Sequence, residues 1–321
     1  MKLVETLVVR DDDEMLTAHL AFQFAMGVDF VVAAAPRGDE RIAEVLEPYE
    51  RDAMLRLVSL EGEHEGDGAV RGELERLAVA EHGADWVLDA EPDELWLPRG
   101  ASLPAILTFL PSRYSVVQAL VRVFPPRPAA NGQVFWERMT VRPSLLGLAA
   151  VAGPLDRALR PVLRATLVGD RARPVPLRAW YPIEVLRFPL RSLAQAERRL
   201  RGGGNAPRSM LEDAAVALDA EGRLAAGWGD IEVDDERLAL GLLDGSLVVD
   251  ERARAVLGER ETGGSSGIVA DASYAIECAA VGEVDVDVLL ARISALERGL
   301  AGLERRFWPR VLRRLERVFG H

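Results

Sequence analysis

Between Asp89 and Glu94 the chain places four carboxylates, Asp89, Glu91, Asp93 and Glu94, behind the apolar run Trp86-Val87-Leu88 and ahead of Leu95 and Trp96. Acids gathered at the end of a strand repel one another and raise each other's pKa unless a cation is near. Oxygen ligands of this kind suit Mg2+ or Mn2+, and such an ion can in turn hold a diphosphate. Two carboxylates one residue apart, as Glu91 and Asp93 are, could contact one ion, directly and through water. A solvated acidic turn is the competing reading of the same residues.

The other reactive side chains point nowhere as specific. His19 falls on a helical pattern, where a packed or surface role is expected. His64 lies in the acidic stretch EGEHEGDG and is a weak metal candidate. His82 precedes Gly83 at a helix end, where the dipole favours a cation. Cys278, the single cysteine, excludes an internal disulfide framework and any cysteine-rich zinc site, and reads as a small buried hydrophobe. No Ser-His-Asp order, phosphate-cradling P-loop or Gly-x-Gly-x-x-Gly stands out, and RGGGN follows a helix instead of opening one.

The acid run needs a scaffold, and the first 125 residues supply an alternating one. Leu3 to Val9, Val28 to Ala34, Leu55 to Leu60, Trp86 to Asp89 and Tyr114 to Phe124 read as strands. Glu14 to Met26, Glu40 to Arg51 and Ala69 to His82 read as helices, the last closed by Gly83. This order predicts an α/β layer with a largely parallel sheet, whose ligands bind beyond the C-terminal ends of the strands. The loops after Val9, Ala34, Leu60 and Asp89 are then the places for chemistry. Further on, Leu145 to Leu167 is expected to be helical in part. Ser192 caps a short helix to Leu200, stopped by Gly202, Gly203 and Gly204, and residues 209 to 257 read as helices with breaks.

With 321 residues and 49% hydrophobic content the chain can bury a large core. A net charge of -12 opposes binding to phosphate backbones, so nucleic acid is excluded as the main partner. The start lacks the apolar core of a signal peptide, and no apolar run reaches the roughly 18 residues that span a bilayer. A cytoplasmic protein is the expectation, with possible contact to the inner face of the membrane.

Three stretches, in consistent order over most of residues 2 to 205, resemble family 2 glycosyltransferases. HGADWVLDAEPDELWLP resembles the Asp-x-Asp region of the bacterial branch with a DADEF-like motif; Glu91 and Asp93 stand at the metal-linked positions, with Glu in place of the first Asp. LVVRDDDEMLTAHLAFQFAMGVDFVV resembles the family's opening strand and helix, which puts Arg10, Asp11 and Asp12 where nucleotide base and ribose are met. For Asp11 and Asp13 an acidic helix start is an equal reading. IEVLRFPLRSLAQAERRLRGGG resembles a later segment, in which Arg187 replaces a histidine and Arg191 precedes the Ser192 cap. Arg191 reads equally as part of a helix-start salt bridge.

The resemblance implies a GT-A-like (Rossmann-like) mixed, mostly parallel sheet flanked by helices. It implies an enzyme that uses a nucleotide diphosphate-sugar donor, an unknown acceptor and Mn2+ or Mg2+, with Arg187 and Arg191 serving the diphosphate. The chain departs from the family in the loop Ala34-Ala35-Pro36-Arg37-Gly38-Asp39, where the nucleotide-contacting acid is absent unless Asp39 supplies it. It departs again at Val70 and Glu73, where the family has a Trp-x-x-Arg pattern. The catalytic base is not placed; Asp156, Glu184 and Asp213 are candidates. Those departures keep open a non-catalytic binding or scaffold protein on the same fold. A metal-dependent nucleotidyltransferase is a weaker third reading.

Three regions are expected: a GT-A-like domain over 1–205, a helical extension and linker over 206–283, and a coiled-coil-like tail over 284–321. In the tail Leu289, Ile293, Leu296, Leu300, Leu303 and Phe307 alternate steps of four and three, the seam of a coiled coil. That seam is expected to be buried in a homodimer or against the catalytic domain. Beyond Pro309 a basic amphipathic helix reads as a solvated docking face, with an anionic membrane surface as the alternative.

Overall fold

A computed structural model describes residues 1–10, 13–60, 67–100, 102–129, 133–144, 159–169, 173–177, 181–201 and 209–261. The expectations for Asp11, Asp12, His64, Asp156, Cys278 and the whole tail lie outside the described residues.

Ten strands and ten α-helices are described. In chain order they are β1 (Leu3–Val8), α1 (Asp13–Met26), β2 (Phe30–Pro36), α2 (Glu40–Arg51), β3 (Leu55–Leu60), α3 (Asp67–Ala80), β4 (Trp86–Ala90), β5 (Glu94–Pro98), α4 (Leu103–Phe109), β6 (Val116–Val123), α5 (Phe135–Arg138), β7 (Val141–Pro143), β8 (Leu159–Arg164), β9 (Ile183–Arg187), α6 (Leu193–Arg201), α7 (Met210–Ala220), α8 (Leu224–Ile231), α9 (Asp235–Leu243), β10 (Leu247–Val249) and α10 (Arg252–Glu261). Eight strands form one sheet in the order β3-β2-β1-β4-β8-β6-β9-β5. Strands β3, β2, β1 and β4 run parallel, β8 is antiparallel to both β4 and β6, β9 is parallel to β6, and β5 closes the far edge antiparallel to β9. This mixed sheet with helices on both faces is the Rossmann-like, GT-A-like architecture expected. β7 and β10 make a separate antiparallel pair.

Strand β1 is buried along its whole length, as a central parallel strand must be when helices cover both faces. Its alternation splits the core. Leu3 and Leu7 join Leu16, Phe22, Ile42, Leu46, Trp86, Trp96 and Leu257 on the face covered by α1, α2, α4 and α10. Val4 and Val8 pack with Val70, Leu74 and Ala78 of α3 on the other. The turn after α1 is tight: Gly27 has φ +97°, and a Cβ there would meet Pro104 Cδ at 2.7 Å, so only glycine fits. A smaller core of Leu190, Ala196, Ala215, Leu224, Trp228 and Ile231 holds α6, α7 and α8 together.

Residues 145–158 lie outside the described residues. Of the stretch expected to be partly helical, residues 159–164 form strand β8, paired on both sides, and Ala165–Leu167 a single 3-10 turn. Leu159, Leu163 and Leu167 have helical spacing, but Pro161 is incompatible with a helix interior, and pairing with β4 and β6 overrides the local pattern. Among the described residues no helix is long and apolar enough to cross a membrane.

Candidate functional site

The acid run sits where the topology places ligand sites, at the C-terminal edge of the parallel strands. In register, Leu7 of β1 pairs with Ala90 of β4, and Val8 with Ala34 of β2. Glu91 follows Ala90 directly. Pro92 then sits at the second position of a tight turn, which its fixed φ favours, and the turn closes when the Glu94 amide donates to the Glu91 carbonyl at 3.0 Å. The Glu91 amide donates in turn to the Glu94 carboxylate at 3.2 Å. Glu91, Asp93 and Glu94 are all buried, so this is no solvated acidic turn.

Burial of so many carboxylates demands compensation, and arginines from four elements provide it. Arg71 of α3 donates to both oxygens of Asp89, at 2.7 and 2.8 Å, and also bonds Glu91. Arg160 of β8 lies 3.1 Å from Glu94. Arg187 ends β9, opposite Glu94 in the β5–β9 register, and its guanidinium lies 3.4 Å from Asp93 and 3.4 Å from Glu212 of α7. Arg199 of α6 joins the same two acids, at 3.1 Å from Asp93 and 2.8 Å from Glu212. Asp93 is held by charge and not by aligned hydrogen bonds, since neither of its oxygens has a hydrogen-bond partner. Glu212 also completes the capping box of α7 with Ser209.

The two acids expected to hold a metal titrate in opposite directions. Burial pushes Glu91 up, and Glu94 and Asp93 add repulsion; Arg71 and Arg160 pull the other way, and the balance stands at about 7. Burial also pushes Asp93 up, but Arg187, Arg199, Arg191 and Arg160 outweigh it and hold it at about 2. Glu94 is raised, chiefly by burial.

Of the other expected site residues, Arg187 lies in this cluster. Arg191 adds its charge to Asp93 but is fixed by local bonds: its Nη1 donates to the Phe188 carbonyl at 3.1 Å, its amide to Gln195 at 3.1 Å, and its guanidinium lies over the Phe135 ring. Arg10 follows β1 at the same sheet edge, half-buried. Asp39, the acid left in the loop after β2, caps α2 by accepting from the amides of Arg41 and Ile42. Glu184, a candidate base, is instead the centre of a separate ion-pair network with Arg99, Arg122 and Arg252. Although burial raises it, these arginines hold it well below the usual carboxylate range, which suits an anchor and not a proton acceptor. Asp213 is half-buried on α7.

Sequence reasoning did not single out Arg71, Arg160, Arg199 or Glu212. Arg71 lies between Val70 and Glu73 on α3. His19, read as packed or at the surface, is wholly buried against Glu5 of β1.

Fit to a divalent ion is tested by the oxygens themselves. The carboxylates of Glu91 and Asp93 each face a guanidinium, and among the described residues no group of three or more His, Cys, Asp or Glu is arranged to hold a metal ion. Both arginines that meet Asp93 reach its Oδ2, and its buried Oδ1 has no hydrogen-bond partner.

No family model matches the chain, and no curated protein matches it. Among solved structures, residues 1–349 of Staphylococcus aureus TarS align with 14% identity over 70% of this chain and 71% of that one, at a TM-score of 0.36. The same fragment in complex with UDP aligns with 13% identity over 68% and 70%, at 0.36. A Bacillus anthracis protein described as a glucose-1-phosphate thymidylyltransferase, in complex with sucrose, aligns with 9% identity over 41% and 62%, at 0.29. The architecture assigned above rests on this chain's own strand order and register.

Proposed function

We propose that the chain is a transferase that binds a nucleotide diphosphate-sugar across the C-terminal edge of β1, β2 and β4 and passes the sugar to an acceptor hydroxyl. One observation carries the reading: Arg71, Arg160, Arg187 and Arg199 come from four separate elements and converge on a single buried turn at that edge. The acids account for the arginines' charge; what favours a ligand is the place of this cluster, at the C-terminal edge of the parallel strands, where guanidinium groups are at hand for a diphosphate. In the reaction the bond from the anomeric carbon to the diphosphate oxygen breaks and a bond to the acceptor oxygen forms. The acceptor proton passes to a carboxylate base, and the nucleoside diphosphate leaves with the bonding electrons. Arginine fork geometry suits the charge that grows on that leaving group. Arg10 at the end of β1, with Asp11 and Asp12 after it, is assigned to the nucleotide, and Arg187 and Arg191 to the field around the diphosphate. A divalent ion would meet the turn at Asp93 Oδ1, which is buried and has no hydrogen-bond partner, beside the guanidinium groups on Oδ2.

A second reading, a non-catalytic binding or scaffold protein on the same fold, has an observation in its favour: Asp39, the acid left in the loop after β2, is spent as a helix cap. Release of nucleoside diphosphate from a panel of UDP-, GDP- and dTDP-sugars separates the two. Turnover of any donor, lost in Arg71→Ala, supports the transferase. Donor binding by calorimetry with no release supports the binding protein, and no binding of any donor ends the transferase reading.

A further inference from the structure

We propose that the space between α5 and α10 is a carbohydrate subsite, with the Trp136 indole as the platform for one sugar ring. A cavity of about 500 Å3 lies there, within the usual size range of small-molecule sites. Trp136 and Glu137 line it from α5, and Glu251, Arg254, Ala255 and Gly258 line it from the start and one face of α10. The platform is fixed from behind. Trp136 is half-buried, and buried Phe135 meets its ring edge-on, with 5.0 Å between centroids and 88° between planes. Phe135 packs in turn on Phe188 at 5.1 Å. The α10 wall is small. Ala255 and Gly258 are three residues apart and so share a helix face, and a Cβ added at Gly258 would meet nothing within 4 Å.

The lining selects the ligand by chemistry. Glu137, Glu251 and Glu259 bring carboxylates and Arg254 a guanidinium, so an anion is opposed. Glu251 and Arg254 pair at 3.1 Å, with side chains 58% and 54% exposed, and Glu137 and Glu259 are exposed as well. Solvent screens charges so placed, and they hold a charged ligand weakly. What they do supply is hydrogen-bond acceptors and donors for hydroxyl groups. A fixed aromatic face beside hydroxyl-binding groups matches a sugar ring, which has an apolar C–H face and a polar edge. The role of that sugar as acceptor rests on the transferase reading above; the subsite itself does not. Phe188 connects the two places: it follows Arg187, and its amide donates to the Asp93 carbonyl at 2.9 Å. The platform is therefore joined to the acid turn through Phe135 and Phe188.

The test applies the full chain to an array of glucose-, galactose-, mannose- and N-acetylglucosamine-terminated glycans and titrates the best binder by calorimetry. At least one glycan should bind, with an affinity unchanged by added NaCl. Gly258→Leu places a side chain in the open space and favours the helix. It should weaken glycan binding about tenfold with no loss in the urea midpoint, and Trp136→Ala should abolish binding. An array on which no glycan binds, binding suppressed by salt, or wild-type affinity in either variant once folded overturns the proposal. Donor turnover is read separately. Glycan binding without release of nucleoside diphosphate from any donor leaves the subsite standing and ends the transferase reading. Where a donor does turn over, Gly258→Leu should raise the KM for the glycan about tenfold and leave donor binding unchanged.

Discussion

Arg187 stands directly across from Glu94 in the antiparallel pairing of β5 with β9, yet its guanidinium is nearer to Asp93, at 3.4 Å, than to Glu94, at 4.0 Å. The strand register thus sets the arginine, and the turn between β4 and β5 brings the acid to it. The Phe188 amide reinforces the arrangement by donating to the Asp93 carbonyl at 2.9 Å. Removing one partner of such a buried pair leaves the other uncompensated. Asp93→Asn should cost about 3–5 kcal/mol in urea unfolding at pH 7. The pH dependence has a definite sign. Asp93 is depressed to about 2 from an ordinary 3.8, so its contribution is present above about pH 4 and is lost as pH falls toward 2. Acid unfolding of Asp93→Asn should lack that step; an unfolding midpoint equal to wild type would show that the pairing of Asp93 with Arg187 and Arg199 adds no stability.

Glu91 works in the opposite sense. Burial first, then the charges of Glu94 and Asp93, raise it to about 7 against the pull of Arg71 and Arg160. Between about pH 4.5 and 7 the folded protein therefore binds more protons here than the unfolded chain, and stability falls as pH rises through that window. The full difference is about 3 kcal/mol by linkage. Glu91→Gln mimics the protonated side chain. It should match wild type near pH 5 and exceed it at pH 8, with the urea midpoint as the readout. A constant offset between the two proteins at both pH values would refute the assignment.

His19 and Glu5 form the deepest ion pair of the core, both wholly buried, one on α1 and one on β1. Burial lowers the imidazole, but Glu5 outweighs it and raises His19 above its ordinary 6.5. A raised histidine contributes stability that is complete below 6.5 and is lost as pH climbs through the folded value. His19→Gln leaves Glu5 alone in the core and should cost about 3–5 kcal/mol at pH 6. The double variant Glu5→Gln, His19→Gln should recover part of that loss. If the double variant is less stable than the single one, charge is not what couples the two residues.

The parallel half of the fold was legible because buried strands are mostly apolar: FVVAAAP is apolar throughout, LVETLV is so apart from Glu5 and Thr6, and their ends lie within two residues of those expected. The acid turn was legible for the same reason, since charge that abruptly follows such a run marks a strand end. What stayed hidden depends on distance along the chain. Arg199 looks like one more solvent-facing arginine of a short basic helix, and only folding brings it to Asp93, far earlier in sequence. Arg71 is hidden in the same way on α3. Strand β8 was obscured by leucines at helical spacing around Pro161, a residue that a central strand also tolerates poorly. No local pattern announces that β4 and β6 will accept it from both sides.

The tail is open to a direct test from its sequence. Leu289, Ile293, Leu296, Leu300, Leu303 and Phe307 keep the alternating four-three spacing of a coiled-coil seam. An apolar stripe of this length left in water forfeits about 1.5–3 kcal/mol per large side chain, so it must be covered. The proposed cover is the same seam of a second subunit. Arg310, Arg313, Arg314 and Arg317, with Trp308 and Phe319, follow it and suit an anionic bilayer surface. Deleting residues 284–321 should halve the mass measured by light scattering and abolish sedimentation with phosphatidylserine vesicles. Changing only the four arginines to glutamine should abolish vesicle binding and leave the mass unchanged. If the truncated chain keeps both its mass and its vesicle binding, the tail neither pairs subunits nor binds membrane, and its seam is covered from within the same chain.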